Sequence, residues 1–313
     1  MNYVVIVSLS LSLLAGATSA SAATLLYEPF NYDAGTTLNG VGPDPVNKPA
    51  QTWAEVNTNA TTGNDLPTIT AGSLPAPTGL PAPQGNSSVH GGSGHTSRLA
   101  LGTSITSGRI YYSALVRVDT TTTTANGQIM AFNNGTGTQT GNVTQMLADL
   151  WVKRGSGSLK FVLGIGKNAA TNPLPVYMSG EMDTGTTVQV VAAYDFGPND
   201  PSDSLPDNTD GYAMLWINPD PSTLGTANEP APTLISAPDP TGVTTVAITD
   251  ISSIVSVALY QYGNSSGTGN STVDEIRVAN NWQEVTGGVV VPEPSSLAVL
   301  ISAAGLLRRR RMS

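Results

Sequence analysis

Cysteine is absent from the 313 residues, histidine occurs only twice, and charged residues make up just 11% of the chain. Without a thiol there is no disulfide framework, no thiolate metal site and no cysteine nucleophile, so any fold must rest on burial alone. The charge that is present sums to −9, which disfavours nucleic acid and anionic lipid surfaces as partners and leaves neutral glycans or cations as better ones. Four of the basic residues sit together at Arg308–Arg311, so the rest of the chain is more acidic still. Long apolar runs are also missing. The two longest, from Val4 to Leu14 and from Leu297 to Leu307, are about a dozen residues each and rise only about 18 Å as helices against a hydrocarbon core of about 30 Å. Neither makes a comfortable membrane span. Between them no segment carries a convincing 3.6-residue apolar period, which argues against a helical enzyme.

What is plentiful is Gly, Pro, Thr, Ser and Asn between short alternating apolar runs, the composition of an all-β, loop-rich sandwich. The clearest strand expected is Arg109 to Val118. Others are expected at Gly127 to Phe132, Met146 to Val152, Ser158 to Ile165, Thr187 to Tyr194, Tyr212 to Ile217, Val243 to Thr249, Ser256 to Tyr262 and Thr272 to Val278. Their spacing suggests a meandering antiparallel sheet. Leu150–Arg154 and Leu159–Leu163 flank Gly155-Ser156-Gly157-Ser158, which reads as a hairpin with Trp151 and Phe161 filling the core. From about 57 to 97, proline and glycine are dense enough to resist regular structure, and that stretch is expected to be a long surface loop.

The ends carry targeting patterns. After the Val4 to Leu14 run come Ala15-Gly16-Ala17 and Ala20-Ser21-Ala22, an A-x-A site that predicts cleavage after Ala22, although Met1-Asn2-Tyr3 supplies no Lys or Arg. At the other end, Val291-Pro292-Glu293-Pro294 precedes the apolar run to Leu307 and then Arg308, Arg309, Arg310 and Arg311. An arginine block resists translocation and holds such a tail on the cytoplasmic side. This order resembles the PEP-CTERM sorting signal of Gram-negative bacteria. The resemblance implies an exosortase-type processing partner, transient membrane anchoring through the C-terminal helix, an association with exopolysaccharide, and a final place in the cell envelope or extracellular matrix. The expected organisation is a signal peptide over 1–22, a β-sandwich domain over 23–288 and a sorting signal over 289–313.

The succession of strands is similar to the concanavalin A-like, laminin-G-like jelly-roll domains, on Tyr27-Glu28-Pro29-Phe30, Leu215-Trp216-Ile217-Asn218-Pro219 and Asp274-Glu275-Ile276-Arg277-Val278 with Trp282. That likeness implies an antiparallel jelly-roll sandwich in which Leu25 to Phe30 pairs beside Thr272 to Val278.

Chemistry-bearing residues are few. Glu181 and Asp183 look like the start of a glycosidase Glu-x-Asp cluster, but Gly185 and Thr186 stand where the second glutamate would be, so no carboxylate pair is assembled. A solvated strand end is expected instead. His90 and His95 lie in a glycine-rich stretch with no triad or zinc-helix pattern and are expected in an exposed loop. Asp200, Asp203, Asp207 and Asp210 belong to an acidic loop that offers oxygen ligands to calcium, the one cofactor considered, without an EF-hand spacing. A hydrophilic set of turns is the alternative reading. The sequence therefore points to a non-catalytic exported module that contacts polysaccharide, with Trp53, Tyr260 and Tyr262 as stacking candidates, although aromatics of this kind are more often core. A divergent glycan-degrading hydrolase is the alternative, and a purely architectural surface protein the third reading.

Overall fold

The computed structural model describes residues 24–42, 51–58, 65–92, 94–122, 126–141, 143, 145–168, 175–197, 211–236, 251–261 and 268–287. The signal-peptide and sorting-tail segments, and the strand expected at Val243 to Thr249, lie outside them. Among the described residues no helix is long and apolar enough to cross a membrane.

Among the described residues, sixteen strands follow in chain order. They are β1 (Leu26–Glu28), β2 (Trp53–Val56), β3 (Thr68–Thr70), β4 (Ser87–Gly92), β5 (Thr96–Ile105), β6 (Arg109–Val118), β7 (Gly127–Asn133) and β8 (Met146–Arg154). Then come β9 (Lys160–Asn168), β10 (Val176–Tyr177), β11 (Met182–Asp183), β12 (Thr187–Asp195), β13 (Tyr212–Ile217), β14 (Leu234–Ser236), β15 (Ile254–Leu259) and β16 (Thr268–Ala279). One short helix, α1 (Trp282–Thr286), ends the described fold. The first sheet has the order β14-β13-β12-β6-β16-β4-β3 with β1 also on β16, and the second β10-β9-β8-β7-β15-β5-β2 with β11 also on β9. Both are antiparallel throughout. Sequential neighbours such as β7-β8-β9 and β12-β13-β14 do meander, but β16 lies between β6 and β4 and β15 between β7 and β5. The simple meander expected from spacing is thus corrected, because strands distant in sequence complete each sheet.

The two sheets enclose one core. Ile110, Tyr112, Ala114 and Val116 of β6 point inward against Phe132, Leu150 and Leu163 of the second sheet. Tyr112 and Phe132 meet edge to face with centroids 5.0 Å apart, and the Tyr112 hydroxyl donates to the Ala148 carbonyl at 2.7 Å across the sandwich. β6 reads as a nearly continuous apolar run because its other face is also covered. Tyr111, Val191, Met214 and Trp216 form a second cluster outside the first sheet, roofed by Trp282 and Val285 of α1. Asn281 caps that helix, its side chain accepting from the Glu284 amide at 2.9 Å.

β1 pairs with β16 as expected, Leu26 opposite Val278. The hairpin also forms, with Trp151 opposite Gly164 in β8 and β9. Phe161 is fully buried in the core, but Trp151 is half-buried and faces away from it, since its neighbours Leu150 and Val152 face inward. That corrects the expectation that both aromatics fill the core.

The proline- and glycine-rich stretch is not one loop. It contains β3, β4 and the start of β5, and what remains of it is strapped to the outside of the first sheet. A bulge in β16 makes the strap possible. Between Asp274 and Arg277 the register slips by one residue against Leu115 and Ser113 of β6, and Glu275 takes a positive φ of 53°. Val273 and Ile276, three apart, consequently both face the core, and Asp274 and Glu275 are left together on the outer side. There Asp274 accepts from the Leu74 amide and Glu275 from the Gln84 amide, each at 2.8 Å. Gly85, at φ 70°, lets the strap pass, because a Cβ there would come within 2.2 Å of the Pro29 carbonyl oxygen.

Candidate functional site

The residues singled out from sequence are placed as follows. Glu181 accepts from the Ser156 amide at 2.6 Å and hydroxyl at 2.8 Å, and Asp183 pairs with Lys160 at 2.6 Å. Both are exposed and both brace the β8–β9 turn, in line with a solvated strand end. His90 and His95 are buried, at 4% and 6% exposure, which overturns their expected place in an exposed loop. They sit in or beside strands that the glycines concealed. His90 bonds through Nε2 to the Ile129 carbonyl at 3.0 Å, and burial lowers its pKa to about 4, so it is neutral. His95 bonds through Nδ1 to Glu55, whose other oxygen accepts from Asn39 at 2.8 Å. Asp200, Asp203, Asp207 and Asp210 lie outside the described residues. Asp195, which opens that loop, is taken by Arg109 at 2.9 Å and by the Gly197 amide at 3.1 Å. Among the described residues no group of three His, Asp or Glu could hold a metal ion.

Of the aromatic candidates, Trp53 is 1% exposed, stacks on Phe30 at 6.0 Å and donates to Glu28 at 3.0 Å. Tyr260 is buried as well, and Tyr262 lies outside the described residues. Trp53 and Tyr260 are therefore packed side chains, in line with the core reading of these aromatics, and not surface platforms. Truncating a buried tryptophan such as Trp53 to alanine costs about 3–5 kcal/mol, so its place is in the packing of the fold.

Four polar clusters hold the sandwich together. Glu28 is fully buried, its oxygens accepting from the Phe30 amide, the Tyr32 hydroxyl and the Trp53 indole. Glu275 accepts from Tyr27 at 2.9 Å and from buried Arg277 at 2.6 Å, while the Arg277 guanidinium also lies over the Tyr27 ring. Beside them burial raises Asp274 to about 8, against the pull of the Leu74 amide. Outside the first sheet Arg109 reaches Asp195, Glu229 and the Tyr212 hydroxyl, fixing the segment that carries Glu229 over Tyr111. On the second sheet Arg98 donates to the carbonyls of Thr136 and Gly137 and to the side chains of Asn133 and Gln139. It pins the 134–141 segment close to a small cluster of Val56, Ala131, Val143, Met146 and Tyr260.

A different arrangement occupies the outer face of β8, β9 and β10. Trp151, Gly164 and Tyr177 are directly opposite one another across the three strands. A Cβ on Gly164 would lie 2.6 Å from the Tyr177 ring, and one on Gly166 would lie 2.5 Å from Asp149 Oδ1 and 2.8 Å from Trp151 Nε1. The glycines are thus the positions over which the two aromatics lean. Lys153 rests its ammonium 4.2 Å above the Tyr177 ring. Asp149, fully buried beneath, accepts at Oδ2 from Gln128 at 2.8 Å and from the Trp151 indole, yet Oδ1 has no hydrogen-bond partner. The Tyr177 hydroxyl is also buried without one. Burial raises Asp149 to about 6, and burial together with the Asp149 charge pushes Tyr177 upward. Sequence reasoning missed Asp149. The available signal was an acid on the strand face opposite Leu150 and Val152, across from Gly-x-Gly on the next strand.

The sequence matches no protein-family model and no curated protein. Among solved structures, domain 4 of AbnA, a GH43 extracellular arabinanase from Geobacillus stearothermophilus, is 14% identical with a TM-score of 0.40, covering 85% of this chain and 97% of that one. A glycosyl hydrolase family protein from Mycobacterium fortuitum is 13% identical with a TM-score of 0.37, covering 82% and 99%. The carbohydrate recognition domain of Emp46p is 9% identical with a TM-score of 0.35, covering 79% and 96%.

Proposed function

We propose that the chain is a non-catalytic, exported cell-surface or extracellular-matrix protein, built on a concanavalin A-like jelly roll and associated with polysaccharide. The observation that carries the non-catalytic part is the commitment of its carboxylates. Glu181 and Asp183 brace a turn, and Glu28 and Glu275 are saturated by internal donors. A hydrolase needs one carboxyl to protonate and a second to attack or to activate water. The tripartite tail with Glu293 and Arg308–Arg311 supports export, exosortase processing and delivery to the exopolysaccharide-bearing surface. The excess negative charge supports a neutral polymer as the partner.

Retention of the purified mature domain on immobilised exopolysaccharide from the producing organism, with no reducing ends released, is the expected result. No retention on any matrix polymer would overturn the reading. One observation favours the hydrolase alternative: Asp149 is a buried carboxyl raised to about 6, the property of a general acid. Release of reducing ends by the wild type that disappears in Asp149→Asn would establish that alternative instead.

A further inference from the structure

The covers of the two sheets differ. Outside the first sheet the 71–86 strap, the segment around Glu229 and α1 lie over the strands, and Gly79 abuts Pro221 where two of these covers meet. On the second sheet, the 134–141 segment is pinned by Arg98 on the β5–β15–β7 side. On β8, β9 and β10 the outermost groups are the half-buried Trp151, Tyr177 and Lys153 themselves.

We propose that the row Trp151–Gly164–Tyr177, with Lys153 as a movable cover, is the binding platform for a neutral polysaccharide chain. The proposal rests on the polysaccharide-associated reading above and gives it a site. Strands one apart are about 4.8 Å from each other, so two aromatics flanking a glycine strand are about 10 Å apart at their backbones and span more than one sugar ring. An aromatic face offers flat apolar area to the C–H face of a sugar, and the polar atoms beside it take the hydroxyls. Two such atoms await donors or acceptors here. The Tyr177 hydroxyl and Asp149 Oδ1 are both buried and unpartnered, and they lie close enough for the Asp149 charge to act on Tyr177. Among the described residues Lys153 has the ring of Tyr177 and no carboxylate as its contact, so moving it off the ring sacrifices no ion pair there and exposes the phenol. One lysine facing one buried acid gives the face no net charge with which to hold a polyanion. Neutral chains therefore fit and uronate polymers do not.

Three of the four tryptophans, Trp53, Trp216 and Trp282, are buried at 1%, 1% and 2% exposure, so acrylamide quenching of the mature domain reports chiefly on Trp151. Affinity electrophoresis through dextran, laminarin, galactomannan, alginate and the organism's own matrix polymer is the primary measurement. The expected result is retardation by a neutral polymer and not by alginate, loss of at least tenfold in affinity in Trp151→Ala, and a severalfold loss in Tyr177→Phe. The retarding polymer should also cut acrylamide quenching of the wild type at least twofold, a readout that holds even where Trp151→Ala fails to fold. Wild-type retardation with unchanged quenching and an unaffected Tyr177→Phe variant overturns the site while leaving the broader reading intact. Retardation by alginate alone overturns the neutral ligand, and no retardation by any polymer overturns both.

Discussion

Asp149 holds both of its donors on one oxygen and leaves the other facing Gly166, so its ionisation opposes the fold, as that of Asp274 does. Its folded pKa, about 6, lies above the ordinary carboxylate value of 3.8, so the folded state binds the extra proton between those limits. Stability from this group is present at low pH and is lost as pH rises toward 6. His90 runs the other way. Its folded pKa, about 4 against 6.5, means the unfolded state takes the proton first, and stability is lost as pH falls through that window. The two slopes oppose each other between pH 4 and 6. In Asp149→Asn this part of the compensation disappears while that from Asp274 stays, and urea unfolding at pH 4.5 compared with pH 7 should show the variant losing more stability on acidification than the wild type. The difference is on the order of 1–3 kcal/mol, at 1.36 kcal/mol per pKa unit. Equal acid sensitivity of the two proteins would contradict the assignment.

At the scale of elements, the bulge in β16 is the joint on which several segments depend. Glu275→Ala removes the acceptor shared by Tyr27, the Gln84 amide and Arg277, leaving the Arg277 guanidinium buried without its carboxylate. Breaking a buried pair in this way costs about 3–5 kcal/mol. Hydrogen exchange should show early loss of protection in the 71–86 strap and in β1, while Glu181→Gln, on the far turn, leaves both unchanged. This joint also marks the limit of what alternation reveals. β6 and β13 stand where their apolar runs ended, at Arg109–Val118 and Tyr212–Ile217, because burial on both faces leaves few polar residues inside the run to blur the ends. β16 starts four residues earlier than its pattern, at Thr268, and its Val273–Ile276 step breaks the period of two. β3 and β4 escaped notice among prolines and glycines because they pair with each other only across the intervening strap, and the other partner of β4 is the distant β16. The Trp151–Gly164–Tyr177 row was illegible for the same reason. Each residue is ordinary by itself, and only the register of three strands brings them into line.

For the whole molecule, the first expectation concerns processing. Replacing Glu293 with Ala should hold the full-length protein in the inner membrane, whereas intact-mass analysis of wild-type envelope and medium fractions should find a species lacking residues 1–22 and Arg308–Arg311. Recovery of the arginine block on extracellular wild-type protein would contradict exosortase sorting. The topology adds a matter of timing. β16 is the last strand of the described chain, yet it lies in the interior of the first sheet, between β6 and β4, and also receives β1, with the Tyr27 hydroxyl reaching Glu275 across 248 positions of sequence. Until it arrives, β14-β13-β12-β6 and β4-β3 are separate pieces and β1 has no partner. A chain delivered from its N-terminus therefore cannot close prematurely around a missing end, and long-range closure of this kind is intrinsically late. The keystone is set only a dozen or so residues before Pro292, so if the tail is processed as proposed above, completion of the sandwich and arrival of the tail at its cleavage would be nearly the same event.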